Sequence, residues 1–231
     1  MDQTTNQAPV PAQDLNQVLK AQTESYLEHG IPSLKQRLAN LNKLLNILKT
    51  NQSAITEAIS KDFGHRPFQE TLLTELYLCI EGIKYARKRL KQWMRPQKRA
   101  VSLWLLGAQN TVIPQPLGVV GIIVPWNYPL YLCVSPLIGA LAAGNRCMIK
   151  MAANSSHLSE LLQRLFAKHF AADMLTIVQG AKGSDFAALA FDHLVFTGSS
   201  HTGRQVMRAA ADNLTPVTLE LGGKSPTIIA P

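Results

Sequence analysis

Residues 119–129 read Val-Val-Gly-Ile-Ile-Val-Pro-Trp-Asn-Tyr-Pro, and this stretch decides the fold. Val119–Val124 is a short, unbroken apolar run rich in β-branched residues, the pattern of a strand buried on both faces of a parallel sheet. Pro125 ends it and Pro129 reopens the chain toward a helix-sized apolar segment, Leu130–Ala143. Working outward, further short apolar runs follow at Cys147–Lys150, Met174–Val178, His193–Phe196, Val217–Glu220 and Thr227–Ile229. Helix-sized segments lie between them at Ser156–Phe170, Phe186–Ala190 and Gly203–Asn213. Such alternation predicts βαβ units: an α/β fold with a Rossmann-like parallel sheet flanked by helices.

Before Pro96 the pattern is helical. Leu34, Leu38, Leu41, Leu45 and Leu48 recur at three- and four-residue steps and mark one buried face. Ser33 stands where an N-cap is expected. A second pattern through Ile55 and Ile59 breaks at Gly64 and Pro67. A third, over Gln69–Met94, places Leu72, Leu76, Cys79, Ile80 and Ile83 together. The chain therefore divides into a frayed tail over 1–17, an N-terminal helical segment over 18–95 and a Rossmann-like domain over 96–231. Residues 101–116 fit neither pattern and read as an apolar arm or hairpin, of the kind that pairs subunits.

Composition narrows the class. In 231 residues, 46% are apolar and the mean hydropathy is +0.02, enough to exclude global disorder. Three dispersed cysteines, Cys79, Cys133 and Cys147, do not form a disulfide scaffold and suit a reducing, cytoplasmic setting. Met1–Gln17 lacks the basic and apolar regions of a secretory signal. The charge-free run Tyr128–Gly144 is 17 residues long and holds two prolines and two glycines, which predicts a buried helix rather than a membrane span. The formal charge of +8 resides in eight basic residues between Lys84 and Arg99. A solvated helix face explains them more simply than an anionic partner, because no nucleic-acid-binding signature accompanies them. Neither nucleic acid nor membrane is expected as a partner.

Parallel sheets place their chemistry beyond the carboxyl ends of the strands, and these ends carry unusual residues. Asn127, between Trp126 and Tyr128, offers an amide donor for a developing oxyanion. Thr197–Gly203 is a small-residue turn entering a helix, where backbone N–H groups favour phosphate. It is neither a Gly-x-Gly-x-x-Gly nor a P-loop pattern. Lys150 closes an apolar strand. Glu220 lies in an apolar strand before Gly222-Gly223, and burial there would raise its pKa toward that of a general base. No His or Cys spacing suggests a metal.

In this order, PWNYP, AAGN, MIK, FTGSSHTG and LELGGKSP resemble the aldehyde dehydrogenase superfamily, over essentially the whole chain. Thr215–Pro226 and Pro125–Arg146 look most like its class 3 and coniferyl branch. The resemblance implies oxidation of an aldehyde to an acid with NAD or NADP, through a thiohemiacetal on a cysteine. It implies Asn127 as oxyanion donor and Glu220 as general base. It also implies a cofactor site at Trp126, Lys150, Gly198, Ser199, Gly203, Leu221 and Gly222. A small aldehyde such as coniferaldehyde is the expected substrate, and the full-length family member is expected to be a homodimer. Two departures stand out. Ala153 occupies the place of a ribose-binding glutamate, and the family's Gly-Gln-x-Cys nucleophile motif is absent before Pro231. The chain alone is therefore expected to be inactive, an N-terminal half lacking the catalytic domain. The alternatives are a non-catalytic NAD(P)-binding fragment, or an anionic-surface-binding protein that uses residues 84–99.

Overall fold

The computed structural model describes residues 14–229. A five-stranded parallel sheet runs in the order β5-β4-β3-β6-β7. Its members are β3 (Val119–Ile123), β4 (Arg146–Lys150), β5 (Leu175–Val178), β6 (His193–Gly198) and β7 (Val217–Leu221). The central strand β3 is buried at every position, as its unbroken apolar sequence requires. Helices α2 (Leu34–Thr50), α3 (Gln52–Phe63), α5 (Tyr77–Trp93), α6 (Pro129–Ala143) and α7 (Ser156–His169) form the layer on one face. Helices α1 (Leu15–His29), α8 (Gly183–Ala187) and α9 (Ser200–Ala211) belong to the other. The N-terminal helices and the sheet share one core, in which Leu41, Leu48, Ile83 and Leu137 pack with Ile122 and Ile149.

The apolar run at 128–144 forms α6, enclosed between the sheet and helices α2 and α5. Among the described residues no helix is long and apolar enough to cross a membrane. Gly144 ends α6 in the left-handed conformation (φ +90°), a strained position for any other residue. Asn145 then accepts the Leu117 and Gly118 amides at 2.7 and 3.1 Å and fixes the entry to β3.

Four expectations need correction. Residues 14–17 are not frayed: Asp14 caps α1 by accepting from Asn16 and Gln17, and residues 1–13 lie outside the described residues. Leu72 is half-exposed rather than on the buried face, because a π turn at Leu72–Leu76, between α4 (Phe68–Thr71) and α5, shifts the helical phase. Residues 227–229 form no strand: Ile228 is 95% exposed, and among the described residues no strand lies beside it to accept its ladder. Helix α8 starts at Gly183 and α9 at Ser200, earlier than apolar spacing alone indicates; the start of α9 is set by Ser199, which caps it.

Residues 97–112 form a hairpin, β1 (Gln97–Arg99) antiparallel to β2 (Asn110–Val112), with Trp104 at its tip. All eight clustered basic residues are exposed, those of α5 opposite its buried face at Ile83, Ala86 and Leu90.

Candidate active site

Strand alternation divides the carboxyl edge of the sheet into two sides. On β6, His193, Val195 and Thr197 face α6, while Leu194 and Phe196 pack toward α8 and α9. On β7, Thr218 and Glu220 face α6 and Val217 and Leu219 face α9. A cleft of about 980 Å³ opens on the α6 side. Its walls include Trp126, Asn127, Gly198, Ser199, Glu220, Leu221 and Gly222, drawn together from three segments distant in sequence. Tyr131 and Ser135 on α6 complete one wall.

Two residues expected at the cofactor site do not line this cleft. Lys150 follows Met148 on the α8 side, where its Cε lies 4.0 Å from the position a Cβ on Gly183 would take. Its Nζ donates to the Met151 carbonyl at 3.1 Å, and burial pushes its pKa below the usual lysine range. Gly203 is buried in the first turn of α9, and a Cβ there would come within 2.9 Å of Leu221 Cδ2. Its contribution is to let α9 sit against the end of β7. Ser199 accepts the Thr202 amide at 3.2 Å as the N-cap of α9, which leaves the helix's positive end at the edge of the cleft.

Glu220 is exposed, so the burial expected for it is not present. Strand β7 is the sheet's edge, and among the described residues nothing covers its cleft face. Asn127 and Trp126 are likewise exposed at the cleft mouth.

The sequence reading missed Arg66 and Glu75. Arg66 Nη1 donates to the Asn127 carbonyl at 2.8 Å, and Glu75 Oε2 accepts the Leu130 and Tyr131 amides at 2.8 and 3.1 Å. Burial pushes the Glu75 carboxyl above its usual range, against the pull of those amides and of Arg66. The available signal was a glutamate inside the helical pattern between Leu72 and Cys79, where a core face should carry no charge.

All three cysteines are buried. Burial pushes the Cys133 thiol up to about 12 and raises Cys79 and Cys147 well above the ordinary range. None presents a thiolate to the cleft. Among the described residues, no three His, Cys, Asp or Glu side chains converge as a metal site.

The sequence and the fold match one class of protein. The chain belongs to the aldehyde dehydrogenase family, whose model matches residues 4–231. It is 50% identical over 223 residues to a "Probable coniferyl aldehyde dehydrogenase" of Pseudomonas aeruginosa, covering 94% of this chain and 47% of that protein. A substrate-bound structure of Staphylococcus aureus AldH superposes with a TM-score of 0.88 at 34% identity, covering 93% of this chain and 47% of the other. A NAD-dependent benzaldehyde dehydrogenase from Corynebacterium glutamicum gives 0.79 at 26% identity, covering 90% and 46%. The chain thus spans about half the length of the relatives it matches.

Proposed function

We propose that these residues form the cofactor-binding and oxyanion-stabilising half of an NAD(P)-dependent aldehyde dehydrogenase that acts on an aromatic aldehyde of the coniferaldehyde kind. The observation that carries this is the meeting of Asn127 and Glu220 in one cleft at the carboxyl edge of the sheet. The Asn127 amide donates to the carbonyl oxygen as it gains charge. Glu220 takes a proton from the attacking thiol or from the water that releases the acid. The nucleophile is a thiolate from outside these 231 residues, because every cysteine within them is buried. A 231-residue chain standing alone is therefore inactive toward aldehydes.

The donor set suits a dinucleotide: the half-buried Lys150 ammonium for ribose hydroxyls and the capped end of α9 for a pyrophosphate. Bound there, the cofactor supplies the hydride acceptor. The aromatic-aldehyde assignment draws support from the names of the Pseudomonas and Corynebacterium relatives. A homodimer of the complete protein, in a cytoplasmic setting, belongs to the same proposal.

The test is titration of the chain with NAD and with NADP, followed by NMR of the amides over 198–203. Saturable shifts that weaken in Lys150→Ala support the reading. No shift with either nucleotide would contradict it.

A further inference from the structure

Arg66 is a nearly buried cation that touches the oxyanion loop from below. Its guanidinium lies over the rings of Phe63 and Tyr128, 4.7 Å from each centroid, so the side chain is held in one plane. Nη2 pairs with Glu70 at 3.1 Å, and Nη1 lies 3.2 Å from Glu75 Oε1 while donating to the Asn127 carbonyl. Glu75 is fully buried, and the π turn that shifts the helical phase places it there. Helix α6 has no side-chain cap of its own, and Glu75 Oε2 supplies that function from another helix by accepting the Leu130 and Tyr131 amides.

Residue 127 is thus gripped from both sides. Arg66 holds the carbonyl that leaves it, and Glu75 holds the helix start that follows it. The side chain of Asn127 remains exposed toward the cleft, in the loop where an oxyanion donor must be held still.

We propose that Arg66 and Glu75 are a positioning pair for Asn127, setting the direction of its amide without touching substrate. The inference rests on the reading of Asn127 as the oxyanion donor.

The test uses the 231-residue chain with Arg66→Met, Arg66→Lys and Glu75→Gln. The side-chain NH2 signals of Asn127, assigned by their loss in Asn127→Asp, report the donor itself. Hydrogen exchange at Leu130 and Tyr131 reports the helix start. In Glu75→Gln those two amides should exchange about ten-fold faster, the effect of losing a charged acceptor. In Arg66→Met the Asn127 signals should shift and broaden, with partial recovery in Arg66→Lys, while the amides of β3, β4 and β5 keep their protection. If Arg66→Met fails to fold, Arg66→Lys decides: it keeps the charge but loses the planar fork, so the Asn127 signals must still move. Unchanged Asn127 signals would overturn the proposal, and so would an even loss of protection over the whole sheet. The outcome is separable from nucleotide binding: in a chain that binds neither NAD nor NADP the cofactor-site reading falls, while the Asn127 signals still decide whether Arg66 and Glu75 set the direction of that amide.

Discussion

The guanidinium of Arg37 lies against Gly144, so close that a Cβ on the glycine would come within 2.8 Å of Arg37 Cζ. Arg37 also donates to the Pro32 carbonyl at 2.9 Å and the Ala142 carbonyl at 3.2 Å, closing the end of α6 over the start of α2. A side chain at 144 is opposed twice, by this contact and by the left-handed backbone. Gly144→Ala should cost about 1–3 kcal/mol in urea unfolding. Gly139→Ala, in the same helix with nothing within 4 Å of its Cβ position, should be neutral or stabilising.

His193 should give the chain a pH-dependent stability. Its Nε2 lies 2.9 Å from Thr218 Oγ1, and burial pushes its pKa below the ordinary histidine value. The neutral ring is favoured in the folded state, so the unfolded chain takes up the proton first. Stability is complete above about pH 6.5 and falls as the pH drops toward the lowered folded value. His193→Gln should flatten that part of the stability profile. A slope unchanged in the variant assigns the effect to another group.

The cysteines give a simple chemical test. In the folded chain a thiol reagent should label none of the three within the time that it labels all of them in denaturant. Rapid labelling of Cys133 or Cys147 without unfolding would contradict their placement in the core.

Ala153 lies exposed in the turn after β4, close in sequence to Lys150. A carboxylate beside the strand end is the usual partner of ribose hydroxyls. Ala153→Glu should therefore tighten NAD binding by about ten-fold and leave NADP binding unimproved, measured by calorimetry.

The sheet was legible because parallel strands buried on both faces write themselves as apolar runs, as Val119–Ile123 and the Cys147–Ile149 centre of β4 show. The turns at Asn127 and Ser199 were legible because small or amide residues stand directly after such runs. Helix α1 was not, because it docks partly through polar groups: Gln22 donates to the Cys147 and Ala172 carbonyls, and Ser25 bonds to Asp173. A stripe of that kind leaves little hydrophobic period to read. The side on which Lys150 lies needed the strand register, and the exposure of Glu220 needed the neighbours of β7. Arg66 escaped notice because the groups it joins, among them Glu75, Asn127 and the Tyr128 ring, meet only in the folded chain.

The central claim is that Asn127 and Glu220, which line one cleft, act on the same aldehyde. It is tested most directly by joining this chain to the C-terminal half of its Pseudomonas aeruginosa relative and following reduced-cofactor formation with coniferaldehyde. The account predicts turnover, a loss of about 10²–10³ in Asn127→Ala, and a loss of about 10²–10⁴ in Glu220→Gln. Turnover that survives both substitutions undiminished would contradict it.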